Sequence, residues 1–382
     1  MQLLPISAAI ALTVVLAGAA AVGLVALAFA QLATVDLANI RPTATEILEI
    51  VKISLAVVAG IGGVVALVVA YRKQRITEAG ESREQAKLYN ERFATASGRL
   101  GDDSPAVRLA CISALAALAD DWEGGRQMCI DVLCAYLRMP SAPEPEASLD
   151  PAAHLAWRAM REVRLTIWRL IAARLKVDAP TPWHGADLDF TGVTIDHNIN
   201  FTSTAFPSGV VRFSGAKFLG GKVRFDRARS SGGSVLFGGA EFSGSEVLIY
   251  QANFSGHVSF TRTKFSGSTV QFGRAVFSGG WVDFDEAEFS DGHVGFSGAE
   301  FSGSTVQFRR AKFSGGTVEF DGAKFDGGAV YLDQVADWSH PPAGLPTKSV
   351  PGLVLGPSAS SAVVQDPDQA DNSGPATQIR SP

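Results

Sequence analysis

Six histidines stand at His154, His184, His197, His257, His293 and His340, and three cysteines at Cys111, Cys129 and Cys134. These side chains bind metals or serve as bases and nucleophiles when they are clustered. No histidine pair here stands at metal-ligand spacing with an acid or a cysteine. Cys129 and Cys134 are five apart, which suits neither a shared helix face nor a zinc knuckle, so they read as small core residues. A sparse, odd cysteine count gives no disulfide framework and fits a reducing compartment. The chain has no phosphate-cradling Gly-x-x-x-x-Gly-Lys-Ser/Thr segment, and its Gly-Gly pairs lack the following Gly-x-Asp that a calcium-binding turn needs. Asp283, Asp285, Glu286, Glu288 and Asp291 form the densest acidic patch. It reads as a solvated face, because Lys and Arg recur nearby. No catalytic, cofactor-binding or metal-ligating residue is assigned, and no cofactor is expected.

Binding chemistry is better represented. A helix expected over 151–176 carries Arg158, Arg161, Arg164, Arg169, Arg174 and Lys176 against one acid, Glu162. Its apolar stripe is Met160, Val163, Ile167, Leu170 and Ile171. The basic side suits docking to anionic lipid or to a partner. The plainer reading pairs these cations with Asp120, Asp121, Glu123, Asp131, Glu144, Glu146 and Asp150.

The elements around this helix follow from hydropathy. Residues 6–30 hold no charge, and a second apolar run covers 53–71. Each is long enough to cross ~30 Å of hydrocarbon as a helix. A secretory signal cleaved after Ala28-Phe29-Ala30 is the rival reading of the first run. That run lacks a preceding basic residue and is too long for the rival. Arg72, Lys73 and Arg75 follow the second run at once and mark the cytoplasmic side. The expected anchor is therefore 1–75, with two spans, both termini inside and the bulk of the chain cytoplasmic. A cleaved first helix leaves that bulk inside as well. An α-helical segment is expected over 76–180. It starts with an amphipathic stretch bearing Tyr89, Phe93, Ala96 and Leu100 and continues with helices near 105–119 and 124–138. Pro140 to Pro145 is a linker. The net charge of −5 argues against a general nucleic-acid binder.

Residues 186–333 repeat one phrase, A-x-F-S-G-G-x-V-x-F-x-x, most clearly from Ala287, Ala299 and Ala311. Phe recurs at alternating spacings of five and seven, with one slip to six between Phe254 and Phe260. Ser230 and Ile249 occupy two Phe positions. Each V-x-F or A-x-F unit has period two, so both apolar side chains point inward. Gly and Ser between units suit corners. The expected fold is a parallel β-solenoid with a core ladder of Phe213, Phe218, Phe225, Phe237, Phe242, Phe272, Phe277, Phe284, Phe289, Phe296, Phe301, Phe308, Phe313, Phe320 and Phe325. Charge sets the coil length. At 24-residue spacing, allowing for the slip, the outward residues Lys217, Glu241, Lys264, Glu288 and Lys312 alternate in sign. At 12-residue spacing Glu288 would meet Glu300, and Lys312 would meet Lys324. About six 24-residue coils with four faces each are expected, in a rod on the order of 30 Å long. Trp183 is the expected cap of the first coil, with Tyr331, Leu332 and Trp338 closing the other end of a domain at 186–338. Residues 339–382, without apolar periodicity, read as a disordered tail.

Ala186-Asp187-Leu188-Asp189-Phe190, Ala240 to Gly244 and Ala299 to Gly303 match the unit A-(D/N)-(L/F)-(S/T)-x. The chain thus resembles the pentapeptide-repeat family over roughly 186–333. The order of its parts resembles membrane-anchored actinobacterial members. The resemblance implies a right-handed quadrilateral β-helix. Alternate units here are two residues longer than the family unit, which implies bulged corners on two faces. The functional expectation is a non-enzymatic scaffold or regulator at the cytoplasmic membrane face, with an unknown protein partner, the lipid bilayer as its support and no nucleic acid. The best-understood relatives bind type II topoisomerases by imitating DNA with an acidic surface. The 16 acids and 13 bases of 186–333 do not supply such a field.

Overall fold

The computed structural model describes residues 43–346 and 350–356, together with Gly18, Ala19, Val22, Gly23 and Ala26. Two compact units result, Met1–Asn90 and Glu91–Pro382. Most of the expected first span, 6–30, lies outside the described residues. The five described positions in it are helical.

Helix α1 (Ala44–Gly98) contains the second apolar run. Its Leu55–Gly98 part is the one helix among the described residues that is long and apolar enough to cross a membrane, with a mean hydropathy of 2.1 in its most apolar window. Three further helices follow: α2 (Pro105–Asp121), α3 (Arg126–Arg138) and α4 (Pro151–Leu175). Helix α4 starts where Asp150 accepts a hydrogen bond from the Ala153 amide at 2.8 Å, with Pro151 in the first helical turn. The three helices share a core of Leu115, Leu118, Ile130, Leu133, Val163, Ile167 and Ile171, all 3% exposed or less.

The rest is a parallel β-solenoid of about seven turns, one more than the Phe count suggests. Its first coil holds β1 (Leu188–Asp189), β2 (Thr194–Ile195), β3 (Ile199–Asn200) and β4 (Ala205–Phe206), one strand per face. The first face reads Leu188, Val211, Val235, Val258, Val282, Val306, Val330 and Leu353 from rung to rung. The alternating charges stack as adjacent register partners: Lys217 on Glu241, Glu241 on Lys264, Lys264 on Glu288, Glu288 on Lys312. This register gives coils of 24 residues. Phenylalanine rings stack nearly parallel, as at Phe284–Phe308 (4.7 Å, 4°) and Phe289–Phe313 (4.9 Å, 8°). All fifteen ladder residues are 5% exposed or less. The slip at Phe254–Phe260 is absorbed without breaking the stack, since Val258 still pairs Val235 below and Val282 above.

The Gly-Gly corners are fixed by close approach between coils. A Cβ at Gly280 (φ +69°) would overlap the Gly256 carbonyl. Two adjacent strands, β5 (Lys264–Gln271) and β6 (Glu288–Gly295), run through the corners Ser266-Gly267-Ser268 and Ser290-Asp291-Gly292, with register shifts at Phe265/Ser266 and Ser266/Thr269. These are bulged corners of the kind that the longer units require.

The chain stays ordered beyond residue 339. Ala343 pairs Glu319, Leu345 is buried, and β8 (Leu353–Leu355) pairs β7 (Ala329–Leu332) in parallel. The reading of 339–382 as a tail is corrected for 339–346 and 350–356. Pro, Ala and Gly there hide a last partial coil, because one strand of three apolar residues needs no periodicity to be held by its neighbour. Residues 357–382 lie outside the described residues.

Candidate interaction surfaces

The open edge of the first coil is covered by the helices, face by face. Gln127 of α3 acts as a surrogate strand: its Nε2 donates to the Asp187 carbonyl at 2.7 Å and its Oε1 accepts from the Asp187 amide at 3.0 Å. Arg138 donates to the Asp189 carbonyl (2.7 Å) and carboxylate (2.6 Å). Val177, just after α4, donates to the Ser203 carbonyl at 3.0 Å, and Lys176 bridges Thr204. A sheet edge that would otherwise recruit foreign strands is thereby closed.

The aromatic cap differs from the expected one. Trp168 of α4 lies 4.6 Å from Phe190 and edge-on to Phe201 at 6.1 Å, so it terminates the ladder. Trp183 is fully buried in another place. Its Nε1 donates to Asp120 at 2.9 Å, and the Arg174 guanidinium sits over its ring at 5.0 Å. The signal for Trp168 was present in the sequence. The buried face is Val163, Ile167, Trp168, Ile171, Ala172 and Leu175; it keeps Val163, Ile167 and Ile171 of the expected stripe, while Met160 and Leu170 are only half-buried. At the far end Trp338 meets Phe313 edge-on at 5.4 Å. Leu332 is buried and Tyr331 pairs Val354 of β8.

The six cations of α4 do not form one free face. Arg164 donates to the carbonyls of Leu137 and Met139, closing the C-terminal end of α3. Arg174 forms a fork with the Asp120 carboxylate at 2.6–3.1 Å. Arg161 reaches Asp196 of the first coil at 3.6 Å, and Arg169 pairs with Glu162 in its own helix. Arg158 lines an open cleft with Glu144, His154, Trp157 and Glu162. Lys176 is exposed at the seam with the first coil. Of the acidic stretch 120–150, only Asp120 takes one of these arginines or Lys176 in an ion pair.

Beside this seam, His197 Nδ1 donates to the Asp196 carboxylate at 2.8 Å, while its buried Nε2 has no partner among the described residues. Burial pushes the His197 pKa down, against the pull of Asp196. Burial pushes the Asp196 carboxyl up, but the His197 hydrogen bond and the Arg161 charge outweigh it and hold the group below its ordinary value. The cysteines are buried, and burial pushes Cys129 up to about 11 and Cys134 up to about 12. Thiols so raised are poor nucleophiles. Among the described residues no three His, Cys, Asp or Glu side chains are placed to hold one metal ion.

The solenoid walls carry ordered ion pairs: Lys222–Glu246 (2.9 Å), Arg309–Asp285 (2.6 Å), Lys324–Glu300 (2.7 Å) and Arg262–Glu286 (3.0 Å). Asp285, Glu286 and Glu300, which lie in or beside the acidic patch, are thus neutralised one coil away. Two corner columns hold non-glycine residues in the left-handed region. One has Arg262, Glu286 and Arg310, and the other has Arg227, Gln251 and Arg274, all with φ of 53–58°. Such a conformation costs about 1–2 kcal/mol without glycine.

Comparison with family models, with curated proteins and with solved structures gave no match. The coil length, the four strands per coil and the stacked Phe are consistent with a pentapeptide-repeat fold.

Proposed function

We propose that the protein is a non-enzymatic interaction scaffold tethered at the cytoplasmic face of a membrane by two spans. The observation that carries this reading is the solenoid itself: its inward positions are spent on packing, and its outward columns differ from coil to coil. A repeat rod with a constant core and a variable wall is suited to displaying recognition groups at fixed spacing. The apolar part of α1, followed by Arg72, Lys73 and Arg75, supports the tether and its orientation. The positions of Arg164 and Arg174 weigh against docking through the whole basic face of α4, and the paired acids weigh against a DNA-like field.

Proximity labelling in cells tests this, comparing the full chain with one lacking 262–309. That deletion removes two whole coils in register, since Arg262 and Arg310 occupy equivalent corners. Partners lost with those coils support the scaffold reading. An unchanged partner list would move recognition away from the rod.

A further inference from the structure

The two corner columns resolve their charge differently. At the first, Glu286 stands between Arg262 (3.0 Å) and Arg310 (3.7 Å), and Asp285 takes Arg309. Every left-handed arginine there has its counter-ion one coil away. At the second, Arg227 and Arg274 flank Gln251 in the same strained conformation, and no ion pair reaches them among the described residues. Arg229, on the next strand of the Arg227 coil, is also exposed and has no ion pair among the described residues. Of the acids in these coils, Asp226 takes Arg224 at 2.7 Å, Glu246 takes Lys222 at 2.9 Å, and Glu241 stands in register between Lys217 and Lys264. Tyr250 lies between the coils, 40% exposed, with the Arg274 guanidinium over its ring at 5.9 Å. The exposed residue Lys176 pairs through its backbone with Thr204 beside the same corner of the first coil.

This array is linear, rigid and cationic, with one aromatic surface in the middle. Arg227 and Arg274 are two rungs apart, about 10 Å at strand spacing. An extended chain presents same-side groups about 7 Å and about 14 Å apart, a range that brackets the arginine separation, so flexible carboxylate side chains on one face can meet both arginines at once. A membrane surface fits less well, since Tyr250 is the only large exposed apolar side chain at this corner.

We infer that the corner formed by Arg227, Arg229 and Arg274 around Tyr250 is a docking site for an acidic, extended segment of a partner protein. This rests on the scaffold reading and names the partner's chemistry. Glycine tolerates the left-handed region, so Arg227→Gly with Arg274→Gly removes the charges while relieving backbone strain. The control, Arg262→Gly with Arg310→Gly, removes the same net charge at the other corner.

The full chain, held in zwitterionic nanodiscs, is titrated into fluorescein-labelled deca-glutamate and followed by anisotropy. The first double variant is expected to weaken binding at least tenfold without lowering the melting temperature, and the control to change it less than twofold. Equal losses in both variants, or no loss in either, would overturn the site. Co-sedimentation with phosphatidylserine vesicles is the second arm. Lipid binding lost in the first variant, with peptide binding kept, would overturn it in favour of headgroups. A failed peptide titration, with partners still lost on removing 262–309, would sink this corner and leave the scaffold standing.

Discussion

The helical cap and the solenoid stabilise themselves in opposite ways. In the solenoid each contact is one of many copies: Phe289 stacks on Phe265 and Phe313 just as Phe296 stacks on Phe272 and Phe320. In the cap each contact exists once: one Trp168 on the ladder, one Gln127 against the edge strand, one Arg174–Asp120 fork. The difference teaches where damage spreads. Loss of one rung should open the rod locally, while loss of one cap contact should loosen the junction with the first coil.

The comparison breaks most visibly at a central rung. Phe289→Ala is expected to cost about 3–5 kcal/mol, with hydrogen exchange rising in the coils around it and unchanged in α2 and α3. Uniform acceleration across the chain would contradict a rod of semi-independent rungs. Asp120→Ala is the counterpart in the cap. It strands the Arg174 guanidinium and the Trp183 Nε1 and should cost about 2–3 kcal/mol. Its exchange signature should fall on the helices and first coil and spare residues beyond 260.

Acid should find the junction before the rod. The His197 pKa is depressed below 6.5 by burial, so protonation favours the opened form. Its contribution is full above pH 6.5 and is lost as pH falls through the lower folded value. Asp196, also depressed, adds a loss at still lower pH, below its ordinary 3.8. Tryptophan fluorescence of Trp168 and its neighbours should therefore change on acidification before strand circular dichroism does, and His197→Asn should flatten the upper step. Simultaneous loss of both signals would remove the distinction. The smallest effect is a gain. Gln251→Gly, at φ 57° and exposed, should stabilise by about 0.5–1 kcal/mol, read as a small rise in melting temperature.

The rod was legible because it is periodic. Phe spacing and the signs of Lys217 through Lys312 set both core and coil length before any coordinate. The cap was less legible because its contacts are single and long-range. Nothing local says that Gln127 will mimic a strand for Asp187, sixty positions on, and the apolar helix face that carries Trp168 does not by itself say that it meets the ladder in place of Trp183. The basic helix was legible only in part for the same reason. Counting charges on α4 did not reveal that Arg164 and Arg174 point into the unit, while the unpaired arginines 227, 229 and 274 were hidden inside a balanced repeat.

Everything rests on the 24-residue coil, and one measurement reaches it directly. Two full-length deletions are compared by far-ultraviolet circular dichroism and thermal unfolding. One removes 262–309, two whole coils; the other removes 286–297, which preserves the sequence pattern but takes out half a coil. The account predicts that the first keeps its strand signal and a cooperative transition within a few degrees of the parent, while the second loses both. A second variant as stable as the first would contradict it, because half a coil would then be a repeat unit in its own right.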